Sequence, residues 1–203
     1  MFGGHVATLK QMAELPSWYP DDDEAKPAPM PLLRIQAFLN TWDVGEGADL
    51  LADPDAARSW LIDAGLLDPN APLGASDLEL ARDVREAIRG VLVTGRADGG
   101  GGLGLASLRQ LTAEHLARMT VGADGMLGLE SAEDGSLGCG LFDLLLIARQ
   151  AQQNGTWARL KVCANSECQW AFYDRSRNQQ GNWCDMAVCG NRLKNRQLRA
   201  RRR

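Results

Sequence analysis

Residues 163–203 read CANSECQWAFYDRSRNQQGNWCDMAVCGNRLKNRQLRARRR, and the rest of the chain is best understood outward from them. They hold four of the five cysteines, Cys163, Cys168, Cys184 and Cys189, as two C-x4-C knuckles separated by fifteen residues. Each short loop brings two thiolates together, and the longer connection lets the second pair complete a tetrahedron. Zn2+ takes that geometry with four cysteines. Two disulfides are the competing reading. The N-terminal MFGGHVATLKQMAELPSW lacks a charged region followed by an unbroken apolar run, so no secretory signal is expected. No window nears the roughly 18 apolar residues of a membrane span. A cytoplasmic chain keeps its thiols reduced, so the expectation is one structural Zn2+ per chain and no membrane partner.

A segment of about 45 residues buries little apolar surface and usually needs a metal or disulfides to hold its shape. Four thiolate ligands leave zinc no open position for water, and no nucleophile–base pairing or cofactor loop stands out. No enzymatic activity is expected. The fifth cysteine, Cys139 in GSLGCGLFDLL, reads as a small apolar residue at a helix start.

Charge divides the chain. Residues 159–203 carry eleven Lys/Arg against three acids, a net +8, while residues 1–158 carry 11 basic and 23 acidic side chains, a net −12. The overall −4 conceals this asymmetry. An acidic body with a basic end points to a polyanion at that end, nucleic acid first of all. In a helix beginning near Ala187, Arg192, Arg196, Arg199 and Arg203 recur at i, i+4, i+7 and i+11 and form one ridge. Such a ridge fits a phosphate backbone or guanine edges in a groove. Asn191 is either a base reader or a cap. Trp170, Phe172 and Tyr173 supply a miniature core or, alternatively, a stacking platform for bases. Asp174 is suited to holding an arginine or an amide in place.

Upstream, residues 1–31 read as an irregular lead-in, with Asp21–Glu24 followed by Pro27, Pro29 and Pro31. Residues 32–42 have helical spacing, with Leu32, Ile35, Leu39 and Trp42 on one face. A helix over 50–64 has Asp53 as N-cap, Pro54 in its first turn and Gly65 at its end. Ser76-Asp77-Leu78-Glu79 reads as a capping box opening the next helix, whose stripe is Leu78, Ala81, Val84, Ile88, Val91 and Leu92. Arg82, Arg85 and Arg89 line another face, solvated or paired with neighbouring glutamates. Gly99–Gly102 is a flexible loop without a phosphate-loop GK[ST]. A helix over 105–118 precedes a hairpin in MTVGADGMLGLE turning at Asp124-Gly125, and a last helix runs over 137–153. His5 and His115 have no visible partners.

The tail resembles the CGNR zinc finger, named for Cys189-Gly190-Asn191-Arg192. Its W-x-F-x-D-x-S-x-N core is present as Trp170, Phe172, Asp174, Ser176 and Asn178, and its W-C-x-M element as Trp183, Cys184 and Met186. PLLRIQAFLNTWD, the run from Trp60 to Leu67 and REAIRGVL at 85–92 resemble the ABATE domain. That domain is a mostly helical fold with a hairpin, found in stress-responsive transcription regulators. The resemblance covers about residues 30–200. It implies zinc at the four cysteines, DNA contact by the finger and a regulatory body. One departure is the QQGN after Asn178, where the family usually carries arginines. DNA contact then falls to Arg175, Arg177, Asn191, Arg192, Lys194, Arg196, Arg199 and Arg203.

The expected class is therefore mainly α with a β-hairpin. A flexible segment (1–31) precedes a helical, ABATE-like regulatory domain (32–156) and a four-cysteine finger with a basic C-terminal helix (157–203). DNA is the expected partner, with RNA or an acidic protein partner as rivals. A homodimer through the body and a small anionic effector are further expectations, the effector held between Asn40-Thr41 and Arg85/Arg89.

Overall fold

The computed structural model describes Trp18 and residues 26–94, 104–133 and 135–191. His5, the acidic cluster at 21–24, the glycine loop at 99–102, and Arg192, Lys194, Arg196, Arg199 and Arg203 lie outside these residues. Among the described residues five helices dominate: α1 (Leu33–Leu39), α2 (Pro54–Asp63), α3 (Ala75–Thr94), α4 (Leu105–Glu114) and α5 (Leu137–Gln153). Three two-stranded antiparallel ladders accompany them, where the sequence indicated one hairpin. They are β1 (Trp42–Asp43) with β2 (Ala48–Asp49), β3 (Ala117–Val121) with β4 (Leu127–Ser131), and β5 (Leu160–Val162) with β6 (Ala171–Tyr173). The class is mainly α with hairpins.

Local chemistry sets most boundaries as expected. Asp53 Oδ1 accepts the Ala56 N–H at 2.8 Å with Pro54 in the first turn, and Gly65 follows α2 at φ +65°. The β3–β4 turn closes through Gly122 N–H to Met126 O at 2.8 Å. Other boundaries differ. α3 starts at Ala75, because the Asp77 carboxylate reaches back to the Gly74 N–H at 2.7 Å. The capping role therefore falls to Asp77, not to Ser76. α4 stops at Glu114, since the chain turns extended at His115 to enter the hairpin. Trp42 lies in β1, not on the face of α1.

One hydrophobic core runs through the described chain. Leu33, Ile35, Phe38 and Leu39 of α1 pack with Leu61, Val84, Ile88, Leu141 and Leu144. Leu160, Val162, Ala171 and Tyr173 of the β5–β6 ladder belong to the same cluster, so the finger's hairpin is built into the body's core. α5 approaches the turn after α2 so closely that a Cβ on Gly140 would sit 2.1 Å from the Leu66 carbonyl oxygen, which only glycine permits.

The lead-in is less irregular than its composition suggests. Lys26–Pro31 forms a strap in which the Lys26 carbonyl accepts the Tyr173 N–H at 2.9 Å and the Ala28 N–H donates to Gln36 Oε1 at 2.7 Å. Its prolines give up N–H groups that this extended path does not need. Trp18 is also buried, with Nε1 donating to the Asp63 carbonyl at 2.8 Å. Among the described residues, no helix is long and apolar enough to cross a membrane.

Candidate metal centre and nucleic-acid interface

The β5–β6 ladder delivers the first cysteine pair. Beyond the Val162–Ala171 register, the Cys163 N–H donates to the Trp170 carbonyl at 2.9 Å. The Asn165 carbonyl accepts from Cys168 N–H (2.9 Å) and Gln169 N–H (3.0 Å), folding the first knuckle back on itself. In the second knuckle Asp185 is the cap. Its carboxylate accepts the Val188 N–H at 2.7 Å, and its carbonyl accepts from Cys189 and Gly190. One wide turn, Met186–Gly190, follows, starting a residue before the expected helix.

This geometry brings all four sulfurs within 4.8 Å of one another, with Cys168–Cys184 at 3.6 Å and Cys184–Cys189 at 3.8 Å. Zinc–sulfur bonds of about 2.3 Å give a tetrahedron with edges of about 3.8 Å, so the cluster fits one ion. Cys163 and Cys189 are buried, and Cys168 and Cys184 half-buried. The sulfurs also act on one another. The Cys168 and Cys184 thiols hold Cys163 down at about 2, while the Cys163 sulfur pushes Cys168 up to about 12 and, with Cys168, pushes Cys184 higher still. One thiolate, at Cys163, forms readily in this crowd; bringing Cys168 and Cys184 to the anionic state calls for a cation. Cys163, Cys168, Cys184 and Cys189 are the ligands of one structural zinc, which clamps the two knuckles without a position open to substrate.

A buried ion pair braces the loop between the knuckles. Lys161 Nζ lies 2.5 Å from Asp174 Oδ2 and also donates to the carbonyls of Gln179 and Gly181. Asp174 accepts from Gly181 N–H (2.7 Å) and Ser176 N–H (3.0 Å). Burial pushes this carboxyl up, but the Lys161 ammonium and the amide donors outweigh it and hold it well below the usual range. Asp174 thus holds an amide, as expected of it, and also a lysine that charge counting had left free for a polyanion. Phe172 is fully buried and Tyr173 nearly so, which fixes both as core residues instead of base-stacking surfaces.

Polar contacts join finger to body. Asn40 pairs with both backbone groups of Ala171, Oδ1 accepting at 2.8 Å and Nδ2 donating at 3.0 Å. Arg89 donates to the carbonyls of Gln169 (2.6 Å) and Leu39 (2.7 Å), and Lys26 Nζ to that of Trp183 (2.6 Å). Arg85 forks onto the Asp49 carboxylate at 2.7 and 2.8 Å and reaches Thr41 Oγ1 at 3.0 Å. Glu86 bonds both arginines, and the Trp42 ring lies under both. Arg85 and Arg89 are only 2% and 3% exposed, so this part of the arginine row is not solvated. The structure brings Asn40, Thr41, Arg85 and Arg89 together as expected, but with their bonding met internally. The anion facing Arg85 is Asp49, and that space is not an open effector pocket.

Of the residues expected to meet nucleic acid, Arg175 and Arg177 are exposed on the β6 side of the finger and Asn191 is exposed just after the wide turn. Arg175 also donates to the Pro27 carbonyl at 2.8 Å. Sequence reasoning missed Lys161, Asp185 and Asn165 as shapers of the finger. The Asp185-x-x-Val188 spacing was a usable capping signal; the other two depend on distant partners.

A family model for the CGNR zinc finger matches residues 159–202, and the ABATE model, described as "Putative stress-induced transcription regulator", matches residues 34–153. No curated protein matches the chain.

Proposed function

We propose, from the premise that this chain belongs to the ABATE family and carries a CGNR zinc finger, that it is a one-component DNA-binding transcription regulator. The observation that carries this reading is the charge division: net +8 over residues 159–203 against net −12 before them, with the basic excess adjoining the zinc ligands. Zinc supplies the shape and cross-links the knuckles, and the chain's own cations do the binding. Arg175, Arg177, Arg192, Lys194, Arg196, Arg199 and Arg203 meet phosphates or guanine edges, and Asn191 reads a base or caps the segment.

The body regulates this end through the seam at Asn40 and Arg89, whose bonds to Ala171 and Gln169 couple any shift of α1 or α3 to the first knuckle. It also self-associates. One face of the β3–β4 hairpin carries Met119, Val121 and Leu127, each at least 67% exposed, with Leu129 between them. Soluble domains rarely leave such a face bare, and a second copy of the same hairpin is its partner here.

Fluorescence anisotropy of the zinc-loaded full chain on random-sequence duplex DNA and on RNA tests the reading. With about six phosphate contacts, log K falls with log salt at a slope near −5. Preference for RNA in competition replaces DNA with the rival polyanion. A flat salt response replaces both with a protein partner.

A further inference from the structure

Away from the finger, three metal-binding side chains converge at the foot of the β3–β4 hairpin. His115 caps the end of α4, Glu133 follows β4, and Cys139 lies in the first turn of α5. Their donor atoms lie within 4.8 Å of one another. His115 Nδ1 is 3.8 Å from Cys139 Sγ and 3.9 Å from Glu133 Oε2. The sequence offered no sign of this, since a lone histidine and a lone cysteine 24 positions apart share no spacing motif.

The arrangement is held from several sides. The His115 ring stacks against Phe142 at 5.9 Å between centroids, and it crosses the start of α5 so closely that a Cβ on Gly138 would lie 2.6 Å from Nε2. That contact leaves Nδ1 as the nitrogen turned toward the thiol. Ser136 Oγ sits 3.1 Å from Cys139 Sγ, and the Ala132 N–H bonds the Leu116 carbonyl at 2.7 Å, tying off the hairpin beside the site. Cys139 is buried, the His115 side chain is 13% exposed and the Glu133 side chain 67% exposed. The group thus combines a buried thiol, a largely buried imidazole and an exposed carboxylate.

Zinc–sulfur and zinc–nitrogen bonds of about 2.3 and 2.1 Å place tetrahedral S and N ligands about 3.6 Å apart, within tenths of an ångström of the His115–Cys139 separation. Imidazole, thiolate and carboxylate together favour borderline-soft divalent ions over Mg2+ or Ca2+, which take oxygen. We propose that His115, Glu133 and Cys139 form a second site, in the ABATE body, for a zinc-class divalent ion. Three protein donors leave one coordination position to water, so the ion exchanges, whereas the finger's four sulfurs close theirs. A bound ion staples the end of α4, the foot of the hairpin and the start of α5, adding to the Ser131–Asp143 bond and the His115–Phe142 contact already there. The proposal stands independently of DNA binding.

The test is a Co2+ titration of the full-length, reduced, metal-stripped protein, read by visible absorption and repeated with Zn2+ competition. Wild type takes two equivalents per chain: a tight one with four-sulfur charge transfer and a weaker one with a single-thiolate band. Glu133→Gln, a surface change that spares the fold, raises the Kd of the second equivalent at least about tenfold, because losing a direct ligand costs no less than losing a supporting residue. Cys139→Ala removes the second thiolate band and leaves the first equivalent intact. Saturation of wild type at one equivalent overturns the proposal. So does a second equivalent whose affinity Glu133→Gln leaves unchanged, and that arm decides even where Cys139→Ala fails to fold.

Discussion

The Arg85–Arg89 seam and the four-cysteine cluster are both crowded sets of strong polar groups, and they balance their charge in opposite ways. At the seam every guanidinium meets an acceptor from the chain: Asp49, Glu86, Thr41, or the carbonyls of Leu39 and Gln169. In the cluster four sulfurs face one another and an Asn165 amide at 3.8 Å. A set closed on itself is structural; one with surplus negative charge specifies a cation from outside. The same logic extends to the basic end, where the surplus is positive and the partner we propose is a polyanion.

The contrast is broken most severely by removing the metal. Chelation, or Cys184→Ser, removes a clamp worth on the order of 10 kcal/mol of folding free energy in small zinc modules. Hydrogen exchange by mass spectrometry should show protection lost at the two knuckles, 163–170 and 182–190, and retained in the β5–β6 pairs that belong to the common core. Loss of protection throughout the ladder would mean that the core does not hold the finger's base.

Next in size are the closed sets. Lys161→Met leaves the buried Asp174 carboxylate without its cation and should cost about 3–5 kcal/mol in urea unfolding. The pH dependence carries the matching sign. Asp174 and Asp49 are both held below the ordinary carboxyl value, against opposing burial, by Lys161 and Arg85 respectively. Their contribution is complete above about pH 4 and is lost as pH falls through their folded-state values. Asp174→Asn should therefore flatten the acid limb of a stability–pH curve. Asn40→Ala strips the Ala171 N–H of its acceptor and leaves the Ala171 carbonyl only Gln36 Nε2 at 3.3 Å, and should cost about 1–3 kcal/mol. Smallest is Arg118→Ala, which breaks an exposed pair with Glu130 and should change stability by less than about 1 kcal/mol in the same assay.

What sequence could show follows from the same contrast. The knuckles, Asp53-Pro54 with Gly65, and the Asp124-Gly125 turn were legible because their partners lie within a few residues. The burial of Arg85 and Arg89 was not, since helical periodicity separates faces without revealing that a polar face packs against a carboxylate 36 positions away. Lys26–Pro31 read as lead-in because its partners Tyr173 and Trp183 lie some 150 residues along. Lys161 was counted with the surface cations because nothing local marks the ammonium as spent on Asp174. His115 and Cys139 looked solitary for the same reason.

The most direct measurement is zinc-edge X-ray absorption on the reduced full-length protein carrying only its chelator-resistant ion. The expected first shell is four sulfurs at about 2.3 Å and no nitrogen or oxygen. A mixed N/O/S shell, or protein that retains its knuckle protection with no tight zinc at all, would contradict the claim that the four cysteines are completed by a single cation.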